Sequence, residues 1–133
     1  MGEKQMTFSG ILKHDDSLKS LSPASRLDIK DAEKLLNLQF SKEYKDYLMS
    51  LGTAATSEHE FTGLCSSNRL NVVYVTNQEW SKHPAIPKSL YVVEKLNIDD
   101  IIIWQDRTGK VFQTVYDKEP SWVANSLKEY LCL

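Results

Sequence analysis

The sequence predicts an α+β domain in which a mostly antiparallel β-sheet is flanked by N-terminal helices and a C-terminal helix. Three observations lead there. Apolar runs of strand composition crowd residues 90 to 116, and helical spacing governs residues 28 to 51 and 121 to 131. Strands in the middle and helices at the ends do not alternate as βαβ units and a parallel sheet require.

The elements follow in order. Phe8, Ile11 and Leu12 can form a short element that packs on the core. The serine-rich stretch from His14 to Ser25, with Asp15-Asp16, reads as a linker, and residues 1–27 count as an N-terminal extension. Asp28 can cap a helix over 28–36, with Ile29, Ala32, Leu35 and Leu36 at helical spacing and Asp31 and Glu33 near its positive start. Ser41 caps a second helix, 41–51, whose Tyr44, Tyr47, Leu48 and Leu51 share a face, and Gly52 ends it.

Farther on, Phe61 to Cys65 reads as a short strand, and residues 71–75 suit either a strand or the approach to a helix. Thr76 with Glu79 has capping-box spacing, so a short helix should run through Trp80 and Lys82 until Pro84 and Pro87 enforce a loop. Leu90 to Glu94, Asp100 to Gln105 and Lys110 to Tyr116 are strands, the last two joined by an Asp106-Arg107-Thr108-Gly109 turn. Ser121 should cap a final helix with Val123, Leu127, Tyr130 and Leu131 on one face.

At 133 residues, 41% hydrophobic and 26% charged, the chain is sized for one domain, 1–133, with a core that needs no staple. A net charge of −2 offers no basic stripe for nucleic acid, yet leaves room for acidic patches that steer a basic partner. Cys65 and Cys132 lack paired spacing and read as reduced thiols. The N-terminus lacks an apolar signal core and no stretch approaches membrane-spanning length, so the expected address is cytoplasmic.

A search for chemistry finds little. His14, His59 and His83 stand apart, with no zinc spacing between them. Glu58-His59-Glu60, six residues before Cys65, is the best base-plus-nucleophile pairing, but the sequence supplies neither an orienting third residue nor a helix start for the thiolate. Gly63 stands alone, which leaves no phosphate loop. Asp99 and Asp100, leading into a strand, point to opposite faces and suit solvated charges better than a shared proton. The expectation is therefore no catalytic residue, no metal and no cofactor: not an enzyme. Among the aromatics, Trp104 follows an Ile run and belongs to the core, Trp122 suits either environment, and Trp80 is the tryptophan best placed for partial exposure, although core packing ranks ahead of partner contact even there.

The order of these features resembles the SUKH superfamily (Smi/Knr-like domain). Ile29 to Gly52 is similar to its opening, a helix, a Leu38-Gln39-Phe40 step and a Tyr-containing helix ending in Gly, although Phe40-Ser41 replaces the family's Leu-Pro. Glu60 to Leu64 looks like its first strand with the Gly-Leu pair, and Tyr91 to Gln113, including the turn from Asp106 to Val111, resembles the strands that follow. Ala124 to Leu131 is similar to the Ser-Phe-x-x-Phe-Leu closing helix, with Leu127 and Tyr130 in place of the two phenylalanines. The likeness spans about residues 28 to 131 and consists of structural positions, so it speaks to fold before function.

That resemblance implies a non-catalytic binding module of the bacterial toxin-immunity type, whose partner is a cognate toxin with a basic nuclease domain. A regulatory adaptor for a host protein is the alternative. Nuclease toxins present basic surfaces, so an acidic inhibitor surface accelerates association, with a few aromatic anchors supplying affinity. The candidate contacts are Glu58, Glu60, Glu94, Asp99 and Asp100, with Trp80 and Tyr74 as anchors.

Overall fold

Each helix of the described residues begins at a side chain that accepts a hydrogen bond from its own first turn. The computed structural model describes residues 6–116 and 118–133. Thr7 caps α1 (Phe8–Lys13), Ser25 caps α2 (Arg26–Leu36), and Ser41 caps α3 (Lys42–Leu51). Asn71 caps α4 (Val72–Lys82) by accepting from the amides of both Val73 and Tyr74, and Ser126 caps α5 (Leu127–Leu131). Each such bond satisfies an amide that the helix itself leaves unpaired.

Several expected boundaries move. Asp28 is not the α2 cap; its carboxylate accepts from Ser25 N at 3.2 Å, which completes a reciprocal capping box. The buried face of α2 is Ile29, Ala32 and Leu36, and Leu35 lies outside the core at 70% exposure. Thr76 caps nothing: it is buried within α4, and its hydroxyl accepts from Val92 N at 3.0 Å. The stretch from His14 to Ser25 is more than a linker, since β1 (Lys19–Ser20) pairs antiparallel with β2 (Ala54–Ala55).

Between Phe61 and Cys65 the expected strand reduces to two bridges, Phe61 to Glu94 and Gly63 to Asn71. Gly52 and Gly63 are fixed by close backbone approach. A Cβ on Gly52, at φ +70°, would fall 2.0 Å from Ser22 O, and one on Gly63 would fall 2.1 Å from Gly52 O.

The sheet is antiparallel throughout, in the order β3 (Tyr91–Lys95), β4 (Ile101–Gln105), β5 (Val111–Val115), β6 (Ser121–Ala124). Strand β6 corrects the longer terminal helix expected from Ser121. Pairing puts Tyr91, Gln105, Val111 and Ala124 in one row, and Val92, Trp104, Phe112 and Trp122 in the next.

The first row meets α3. Tyr91 lies 5.1 Å from the Tyr44 ring and 4.8 Å from that of Phe40. A satisfied polar network runs through this contact. Gln105, fully buried, accepts from Ser41 Oγ and Tyr91 OH and donates to Glu43 and to Gly109 O. Glu43 in turn accepts from the amides of Leu127 and Lys128 at 2.7 and 3.1 Å, so a carboxylate of α3 seats the start of α5. Buried polar groups that are all paired make the packing of α3, sheet and α5 specific.

Candidate partner-binding surface

A bulge in β3 decides where two of its side chains go. Val92 faces Trp104 and Glu94 faces Ile103, which leaves Val93 as the extra residue. The extra residue turns Glu94 to the opposite side from Val92 and gives Lys95 the α4 side, since bulges re-aim the side chains that follow them. Glu94 is consequently interior, at 2% exposure, and not on the surface where the sequence placed it. Its carboxylate accepts from Tyr130 OH at 2.8 Å, Glu60 N at 2.9 Å and His59 Nδ1 at 3.0 Å. The hydrogen bond that His59 donates to Glu94 holds the imidazole above its ordinary pKa, against partial burial, with Glu94, Glu58 and Asp15 adding negative potential.

Trp80 is also interior, 7% exposed, and its indole N–H donates to Leu90 O at 3.1 Å. Core packing, not partial exposure, describes it in the free chain. Lys88 Nζ lies 5.1 Å from its ring centroid at the surface side.

The other predicted contacts are accessible, at separate places. Glu60 is gripped by both terminal nitrogens of Arg69, which hold its carboxyl below the usual glutamate range and cancel much of its charge locally. Glu58 is exposed in the loop after β2. Asp99 and Asp100 form the turn of the β3–β4 hairpin directly before Ile101, with left-handed φ of 52° and 51° in place of an extended approach to the strand. Aspartate is among the few residues that adopt this left-handed conformation readily, so their presence has a conformational reason beside any charge effect. Tyr74, on α4, is 45% exposed.

The residues considered for chemistry are engaged apart from one another. Cys65 Sγ donates toward Ser67 O at 3.6 Å, His59 is on Glu94, and His83 Nε2 sits 3.8 Å from Glu79. Among the described residues no group of His, Cys, Asp and Glu is arranged to hold a metal ion.

Where α2 packs against α4, an open groove of about 780 Å³ remains between them. Its α2 wall is Asp28, Asp31, Ala32 and Leu35. That spacing of i, i+3, i+4 and i+7 defines one helix face. From the other side come Leu64, Val73 and Tyr74, with Asn68, Asn77 and Gln78 supplying amides. Among the described residues, no Lys, Arg or His lines the groove. Two of the three basic residues of α2, Arg26 and Lys30, line a different concavity together with Lys42 and Lys45. Sequence reasoning found Tyr74 but missed Asp28, Asp31 and Leu35 as surface, because the acids also suit a helix start and the leucine also suits a core. The i, i+3, i+4, i+7 pattern was the available signal.

No helix among the described residues is long and apolar enough to cross a membrane. No curated protein matches the chain. The family model SUKH_5, described as SMI1-KNR4 cell-wall, matches residues 5–132, nearly the whole sequence. With that match over helices, antiparallel sheet and closing helix alike, the chain belongs to the SUKH domain family, members of which are immunity proteins in polymorphic toxin systems.

Proposed function

We propose that this protein is an immunity protein that neutralises a cognate polymorphic toxin, with a basic nuclease domain, by forming a stoichiometric complex in the cytoplasm. The observation that carries the reading is the family match over residues 5–132. Its mechanism needs no turnover and no cofactor: the complex covers the toxin's active site or its substrate path. Glu58, Glu60, Tyr74, Asp99 and Asp100 are the proposed contacts. Glu94 and Trp80 support two of these contacts from behind, Glu94 by pinning His59 and the amide of Glu60, Trp80 by seating the helix that carries Tyr74.

Co-expression tests it. The toxic domain encoded beside this chain should arrest growth alone and permit growth when this chain is produced with it. The two should co-elute at a fixed ratio. Arrest that persists despite equal production of both chains would overturn the reading. The cell-wall description of the family favours a second one, a non-catalytic adaptor for a host protein. Under it the chain gives no protection and is recovered with a host assembly instead.

A further inference from the structure

The α2–α4 groove combines Leu35, Tyr74 and Asp31, which serve neither the core nor a helix cap, with Asp28, whose carboxylate also completes the α2 capping box. Leu35, at 70% exposure, and Tyr74, at 45%, share one concavity, although the core contact of α2 is complete with Ile29, Ala32 and Leu36. Large apolar side chains gathered in one groove mark a contact surface more often than scattered ones do. The charge there is of one sign, with Asp28 and Asp31 in the lining and no cation among the described residues that line it. A phosphate-bearing ligand would be repelled by two carboxylates with nothing to pair it. A lysine or arginine would be attracted, and an arginine could also stack on the Tyr74 ring. Asn68, Asn77 and Gln78 each offer a donor and an acceptor, which suits a polypeptide backbone.

We infer that this groove receives a positively charged segment of the protein partner, seating an apolar side chain against Leu35 and Tyr74 and setting arginine or lysine against Asp28 and Asp31. The inference rests on the immunity reading only for the identity of that partner.

The test has two arms. In the first, isotope-labelled protein is titrated with a short blocked peptide carrying leucine and arginine on one helical face, and with its counterpart in which glutamate replaces arginine. Amide shifts should cluster in residues 28–35 and 73–78 for the basic peptide only. Asp31→Lys or Leu35→Ser should weaken binding by about tenfold or more. Both positions are exposed, so the variants should keep the wild-type fold, which the unchanged remainder of the spectrum reports. Absence of shifts at millimolar peptide, equal response to the acidic peptide, or full binding by Asp31→Lys would overturn the groove assignment.

In the second arm the toxic domain encoded beside this chain replaces the peptide. Tight binding by wild type that neither substitution weakens removes the groove and leaves immunity standing. A toxic domain that ignores wild type, with the peptide bound in the groove, removes the immunity reading and leaves the groove.

Discussion

Strand β3 is held from both sides by a buried carboxylate, and the two attachments are built from different partners. Glu94 and Glu79 are equally hidden, at 2% exposure in their side chains. The partners of Glu94 are held in place: a backbone amide, the Tyr130 hydroxyl of α5, and the His59 ring stacked 5.2 Å from Phe61. Glu79 instead faces two lysines, Lys95 at 2.9 Å and Lys82 at 3.6 Å, whose side chains are 38% and 56% exposed, together with His83. The lysines can carry their ammonium groups out to water when the carboxylate goes, because the charge sits at the end of a flexible stem. The partners of Glu94, although partly buried, lack such a stem: a backbone amide, a ring stacked on Phe61 and a phenol fixed by α5. Equal burial therefore does not mean equal contribution; the freedom of the partner decides it.

The largest expected effect follows directly. Glu94→Ala should cost about 3 kcal/mol of unfolding free energy, since it leaves three constrained, partly buried partners unpaired. It should also loosen α5 and the 56–60 loop together, visible as faster amide exchange in both. Glu79→Ala should cost less, about 1 kcal/mol, because two of its cations regain solvent. Urea unfolding measures both. Equal losses, or a larger one at Glu79, would break the comparison and show that burial alone sets the contribution.

A smaller effect distinguishes the two sites by pH. The folded state raises the His59 pKa, through its hydrogen bond to Glu94 first, so the protonated ring is favoured on folding. The stability this contributes is fully present below the unfolded histidine value, about 6.5, and is lost as pH rises through the raised folded value. Tyr130, whose phenol is held well above its usual range by burial and then by the Glu94 charge, adds a second loss of the same sign at alkaline pH, starting above about 10. Urea midpoints should therefore fall between pH 6 and pH 9 in the wild type. They should fall less in His59→Gln, which keeps a side-chain donor but does not titrate. An unchanged slope in that variant would remove His59 as the source.

These attachments explain what could be read from the sequence and what could not. Strands β3 to β5 were legible because Val92-Val93 and Ile101-Ile102-Ile103 are β-branched runs with a turn at Asp106 to Gly109. Helix α3 was legible because Ser41 and Gly52 mark its ends. The start of α4 was hidden by Val72-Val73-Tyr74-Val75, which has strand propensity. The Asn71 cap and packing on β3 override that preference, as tertiary context often does. Strand β6 was missed because Ser121-Trp122-Val123-Ala124 also fits a capped first turn, while the true cap, Ser126, lies five residues on. The Glu94 attachment could not be read at all, since it joins residues 35 and 36 positions apart in the chain and depends on the bulge at Val93.

The smallest expected effect extends the comparison to carboxylates outside the interior. Asp99 and Asp100 occupy left-handed positions at the hairpin tip, and asparagine tolerates that conformation about as well as aspartate. The double substitution Asp99→Asn, Asp100→Asn should therefore change stability by less than about 0.5 kcal/mol. It isolates charge from conformation in a way that lysine, poorly suited to a left-handed turn, does not. If these acids help steer a basic toxin, the double variant should associate more slowly at low salt, and the difference should vanish as salt screens the field. Alanine at the same two positions should cost more stability than asparagine while slowing association no further. A wild-type association rate at low salt would confine the role of Asp99 and Asp100 to shaping the turn. It would leave Glu58, Glu60 and the acids of the α2–α4 groove as the charges on which recognition depends.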